Sequence, residues 1–119
     1  MLWKVKPYMI FENFNMSSSK EYLMYTLEKF SLLENITYKS MMGQYILYYQ
    51  GKIFGGIYNN QVLLKPVPSA LAFFSFPKFI IPYTGAKEML LLEHMEDKEF
   101  LQNLIKTMYK DLQNLKKQK

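Results

Sequence analysis

The sequence predicts an α+β domain in the order α-β-β-β-β-α-β-β-α, one antiparallel sheet packed against an N-terminal and a C-terminal helix. Three observations carry this. An amphipathic helical pattern begins near Ser18, and a second runs from about Asp97 toward the end of the 119-residue chain. Between them lie short runs rich in β-branched and aromatic residues. The first of these runs are joined by short polar turns, the mark of a meander.

The opening helix is written in "MSSSKEYLMYTLEKFSLL". Ser18 followed by Glu21 fits a capping box, and Leu23, Thr26, Leu27, Phe30 and Leu33 form one stripe at helical spacing. "ITYKS" (Ile36 to Ser40) and "QYILYY" (Gln44 to Tyr49) are strand candidates. Gln50-Gly51 supplies a two-residue turn, "KIFGGIY" returns as the third strand, and Asn59-Asn60 turns the chain into "QVLLK". Pro66 and Pro68 end that segment. "SALAFFS" reads as a short helix with Ser69 at its cap, stopped by Pro77. "FII" (Phe79 to Ile81) and "EMLLLE" (Glu88 to Glu93) read as two more strands. The last helix spans about Asp97 to Leu115, with the stripe Leu101, Leu104, Ile105, Met108, Leu112 and Leu115. Acids at its start and lysines at its end complement the helix dipole.

Composition sets limits. Half the residues are hydrophobic and 17% are aromatic, too apolar for a disordered chain. There is no cysteine, so neither disulfides nor thiol chemistry enter, which is compatible with a cytoplasmic protein. No apolar run reaches the ~20 residues that span a bilayer, and the N-terminal stretch is too interrupted by Lys4, Lys6, Pro7, Glu12 and Asn13 to be a signal peptide. Net charge is +5, yet residues 17–115 hold ten lysines against nine acids, so the excess lies at the ends. All basic residues are lysine; without arginine, the commonest specific base contact, bidentate to guanine, is missing. Residues 116–119 form a basic tail.

Motif spacing excludes several chemistries. Gly51 and Gly56 in "YYQGKIFGGIYNN" are separated by four residues, as in a phosphate loop, but Ile57-Tyr58 stand where Lys-Ser/Thr is required and strand follows instead of helix. In a strand, Gly55 and Gly56 strip side chains from both faces, which suits a bulge, a packed helix or, less readily, a bound group. The lone His94, beside Glu93 and Glu96, reads as a loop residue; with no cysteine and no second histidine, a metal site and a hydrolase triad both lack their parts. Tyr45, Tyr48, Tyr49 and Tyr58 crowd the meander, but "KIFGGIY" has its glycines in the wrong places for an RNA-binding sheet. No cofactor is called for.

The stretch "MSSSKEYLMYTLEKFSLLENITYKSMMGQYILYYQGKIFGGIYNNQVLLKPVPSA" closely resembles the N-terminal domain of the TfoX/Sxy family, bacterial regulators of competence genes. The resemblance rests on Met41-Met42-Gly43, Tyr45, Gly51, Phe54-Gly55-Gly56 and Leu64-Lys65-Pro66. A second block, "PYTGAKEML", agrees through Pro82, Tyr83, Gly85, Ala86, Lys87 and Met89, and "DKEFLQNLIKTMY" fits the closing helix. It implies a fold like that of secretion chaperones, over a domain at residues 17–115. Residues 1–16 have no counterpart upstream of Met16 and read as an extension, an appendage or the product of an upstream start codon. Trp3, Tyr8, Ile10, Phe11 and Phe14 would let that extension dock on the surface. The family's C-terminal helical domain has no match here, which puts direct competence regulation in doubt. The family position before Met-Met-Gly commonly carries arginine; its equivalent is Lys39.

Two functional expectations follow. The first is a non-enzymatic regulatory module in transcription that acts through a protein partner, not by base readout. The second is a small-anion or ligand site, or a minor enzyme activity, combining Lys65, Tyr83 and Lys87 near the Gly55-Gly56 gap. Lys39, Tyr45, Gly55, Gly56, Lys65, Tyr83 and Lys87 are thus the candidate contact residues. A homo-oligomer through an exposed sheet face is a third expectation.

Overall fold

A computed structural model describes residues 17–112. Its elements are α1 (Lys20–Lys29), β1 (Ile36–Met41), β2 (Gln44–Tyr49), β3 (Lys52–Tyr58), β4 (Gln61–Leu64), α2 (Pro68–Leu71), β5 (Phe79–Ile80), β6 (Met89–Leu92) and α3 (Lys98–Met108), closed by a 3₁₀ turn at Tyr109–Asp111. The α+β class and element order are those the sequence predicts. The expected extension at 1–16, the end of the last helix at 113–115 and the basic tail at 116–119 lie outside the described residues.

All strand pairs are antiparallel, in the order β1-β2-β3-β4-β6-β5. The first four strands form the expected meander. β6 then inserts between β4 and β5, pairing Leu64 with Leu90 on one side and Phe79 with Leu90 on the other.

Three two-residue turns drive the meander, at Met42-Gly43, Gln50-Gly51 and Asn59-Asn60. Both central residues of each have positive φ: 50° and 84°, 49° and 81°, 53° and 57°. That backbone twist matches the twist of the flanking strands, which is why it favours tight hairpins.

The described helices share one face of the sheet. Leu23, Phe30 and Leu33 from the α1 region, Ala70 from α2, and Leu101, Leu104, Ile105 and Met108 from α3 join Leu47, Phe54, Val62, Leu64, Leu90 and Leu92 in one core. Phe30 meets Phe54 edge to face at a ring separation of 5.6 Å. Lys98 of α3 pairs with Glu28 of α1 at the surface, and Gln102 donates to the Leu32 carbonyl at 3.1 Å. The opposite face holds a smaller cluster of strand residues, Tyr58, Leu63 and Ile80 with Ile46, Met89 and Leu91 around them.

Two caps differ from the sequence expectation. Ser19, not Ser18, caps α1, its hydroxyl accepting from the Tyr22 amide at 3.0 Å. Ser18 is drawn into the sheet instead: its Oγ donates to Gln44 Oε1 at 2.7 Å and accepts from the Asn60 amide at 3.0 Å. Ser69 lies inside α2 rather than capping it, and its amide is taken by Asp111 Oδ2 at 3.0 Å. Asp97 does cap α3, accepting from the Phe100 amide at 3.0 Å.

Candidate functional site

The paired glycines lie at a bulge. β2 and β3 run in register from Tyr45–Ile57 to Leu47–Gly55, then shift, with Tyr48 opposite Ile53, so Phe54 is the extra residue. The bulge turns the Phe54 ring into the core beneath α1. A Cβ on Gly55 would lie 2.2 Å from the Leu63 carbonyl oxygen, and one on Gly56 would lie 2.7 Å from both the Tyr45 carbonyl and the Tyr58 ring. The space vacated by both glycines is therefore occupied by the neighbouring strands' backbone and by Tyr58. What approaches is the sheet itself, not a helix.

The other candidates fall at different places. Lys39 is exposed on the edge strand β1, opposite Ile46, which in turn pairs with Gly56. Lys39 and Gly56 therefore share the face turned away from the helices. Tyr83 joins that face from the β5–β6 loop, its ring 6.4 Å from that of Tyr58. Burial, and then the neighbouring Tyr83, pushes the Tyr58 phenol above its ordinary value. Tyr45 is half-buried on the helix side, edge to face with Tyr38 at 5.8 Å. Lys65 follows β4 at the end opposite the Asn59-Asn60 turn, its amide bonded to the Phe54 carbonyl at 2.9 Å. Partial burial lowers its ammonium pKa. Tyr58, against which Tyr83 packs, stands four residues along β3 from Phe54, about 13 Å at strand rise. Lys65 and Tyr83 therefore occupy opposite ends of the β3–β4 hairpin. Lys87 is exposed in the β5–β6 loop.

A concave site of another kind lies where α2 ends. After Leu71 the chain runs through "AFFSFPK" along the β6 end and the start of α3. Phe73 and Phe74 both set their rings edge to face against Phe100, at 5.8 and 6.4 Å. These three rings and Phe76 line an open cleft of about 520 Å³, and Lys78, Glu93, His94 and Asp97 form its polar side. Lys78 and Glu93 pair across it at 3.2 Å, and Asp97 is held by its capping bond. Lys78 and Glu93 are thus engaged with each other and Asp97 with backbone, beside a wall of aromatic rings. Phe76 is 89% exposed, the most exposed aromatic ring among the described residues.

The sequence contained a signal for this cleft. Three phenylalanines within "FFSF" exceed what a short helix stopped by Pro77 can bury. The expected helix over Ser69–Ser75 ends instead at Leu71, which leaves Phe73, Phe74 and Phe76 on irregular chain. Among the described residues no group of His, Asp or Glu is placed to hold a metal ion, and no helix is long and apolar enough to cross a membrane.

No family model matches the chain, and no solved structure matches it. It is similar to a protein of Spirochaeta aurantia described as an uncharacterized 12.7 kDa protein in the trpE 5′ region, with 42% identity over 48 residues. The matched stretch is 40% of this chain and 42% of that protein, so the chain spans less than half of the relative's length.

Proposed function

We propose that this chain is a small non-enzymatic interaction module, acting in the cytoplasm on transcription by holding a protein partner. That is the role implied by its resemblance to the N-terminal domain of TfoX/Sxy regulators. One observation supports it above the others: an open cleft walled by Phe73, Phe74 and Phe100, with the Phe76 ring standing in solvent at its rim. Aromatic side chains presented this way carry much of the energy in protein–protein contacts. The test is capture of the native partner by tagged full-length chain, alongside a gel shift with DNA at physiological salt. Selective capture of a transcription protein supports the reading. Tight sequence-specific DNA binding by the chain alone overturns it.

The anion-binding reading retains one favourable observation, the partly desolvated ammonium of Lys65. A half-buried cation gains from an anionic ligand that restores its lost solvation. Phosphate titration followed by amide shifts of Lys65 and its neighbours tests it; unmoved resonances at millimolar phosphate remove it.

A further inference from the structure

The two edges of the sheet are built differently. β5 is two residues long, Phe79–Ile80, and lies between Pro77 and Pro82. Short strands and nearby prolines blunt an edge against pairing with another chain. β1, at the other edge, has six residues and pairs with β2 without a register shift. It contains no proline, and Thr37 to Met41 are all exposed. Among the described residues nothing pairs with its outer side. We infer that β1 is a dimerisation edge. It pairs antiparallel with β1 of a second copy about a two-fold axis at Tyr38, continuing the sheet from one copy into the other.

Backbone parity, register and charge point to this partner. The Gln50 amide donates to the Asn35 carbonyl at 3.0 Å. Bonded and non-bonded pairs alternate along an antiparallel ladder. Asn35, Thr37, Lys39 and Met41 therefore turn their amides and carbonyls to β2, while Ile36, Tyr38 and Ser40 turn theirs outward. A two-fold interface sets the same edge against itself. With the axis at Tyr38, Tyr38 faces its own copy and Ile36 faces Ser40, so all three outward residues enter bonded pairs. Lys39, the single charge on β1, then faces Thr37. Moving the axis to Lys39 sets two lysines directly opposite, which is destabilising. Moving it to Thr37 carries Ser40 past the strand, opposite Glu34. The Tyr38 ring is 43% exposed and already edge to face with Tyr45 at 5.8 Å. Pairing at the axis covers it with the same ring of the second copy. The phenylalanine cleft lies beside β6, toward the other edge, so the dimer leaves both clefts open. The inference is therefore independent of the partner-binding reading.

The experiment is sedimentation equilibrium of the full-length chain across concentration, paired with amide hydrogen exchange. A monomer–dimer equilibrium is expected, with exchange of the Ile36, Tyr38 and Ser40 amides slowing as the dimer fills. Tyr38→Lys sets two ammonium groups at the axis and is expected to weaken association at least about tenfold. Should that variant fail to fold by far-UV circular dichroism, Ser40→Pro removes an outward amide, spares the β2 ladder and is expected to weaken association likewise. Thr37→Glu, opposite Lys39, is expected to tighten the dimer several-fold. A chain still monomeric at about 1 mM overturns the inference. So does a dimer indifferent to the Tyr38 and Ser40 substitutions, one that Thr37→Glu fails to tighten, or one that Phe76→Ala dissolves. Protection of the three amides already complete in the dilute monomer also overturns it and assigns the edge to another segment of the chain.

Discussion

The α-carbon of Gly55 passes so close to Leu63 that a methyl group there would stand 2.2 Å from the Leu63 carbonyl oxygen. Nothing flexible can yield, because the neighbour is strand backbone paired on both sides. Gly55→Ala must therefore push β4 away from β3 or undo the bulge that delivers Phe54 to the core. The expected cost is at least about 3 kcal/mol, at the upper end for overpacking. Gly51→Ala is the comparison. A Cβ at Gly51 meets nothing within 4 Å, and only its φ of 81° opposes the change, so about 1 kcal/mol is expected. Urea unfolding of both variants measures the contrast; equal losses would mean that the Gly55 contact relaxes freely.

The Met42-Gly43 turn offers a gain. Met42 holds φ at 50° and is 94% exposed, so it bears left-handed strain with no packing in return. Asparagine accepts that conformation and is favoured before glycine in such turns. Met42→Asn is expected to stabilise by about 0.5–1 kcal/mol, visible as a higher urea midpoint with an unchanged slope.

The pairing of Glu28 with Lys98 gives the fold an acid-sensitive link between α1 and α3. The hydrogen bond from Lys98 holds the Glu28 carboxyl below its ordinary value of 4.5; desolvation opposes it, and the charges of Lys98 and Lys29 add lesser lowering effects. A carboxyl depressed in the folded state stabilises above its unfolded pKa, and that stability is lost as pH falls through the folded value. Both side chains are substantially exposed, so the contribution is small and screened by salt. Melting temperature followed from pH 7 downward, near 10 mM salt, is expected to show wild type slightly above Glu28→Gln at neutrality. The two converge once the carboxyl is protonated. Parallel curves at every pH would show that the pair contributes nothing.

These relationships differ in how far they could be read from the chain. The Gln50-Gly51 and Asn59-Asn60 turns were legible because glycine and asparagine tolerate positive φ. Met42-Gly43 adopts the same turn, but methionine carries no such signal. Gly55-Gly56 announced a local irregularity, and the bulge at Phe54 is its form; that β4 fills the gap depends on long-range pairing. The same holds for β6 lying between β4 and β5, since alternation along Met89–Leu92 shows that it is a strand but not which strands it joins. The capping-box spacing of Ser18 and Glu21 favours Ser18 in the sequence, yet Ser19 is the cap. The choice is made by the Gln44 side chain and the Asn60 amide, which claim the Ser18 hydroxyl. Of the proposed contact residues, Lys39 and Gly56 reach a common face through strand register, whereas Lys65 and Tyr83 are separated along the hairpin, a distance that loop and strand-end residues do not encode. The phenylalanines of "FFSF" were hidden by the expectation of a helix through Ser75, whereas the helix stops at Leu71.

Phe76 provides the sharpest test of the partner-binding reading, because its structural and functional roles separate. Its ring is almost wholly in solvent, so Phe76→Ala removes little buried surface, and stability is expected to stay within about 0.5 kcal/mol of wild type. If the ring anchors a partner, its truncation removes a central aromatic contact, worth on the order of 2 kcal/mol and hence more than a tenfold loss of affinity. Phe100→Ala is expected to behave differently. That ring supports both Phe73 and Phe74 from α3, so its loss collapses the cleft wall and lowers stability together with binding. The measurement is quantitative capture of the native partner by wild type, Phe76→Ala and Phe100→Ala, each paired with a urea unfolding curve. Undiminished capture by a folded Phe76→Ala chain would move the partner's contact away from this cleft.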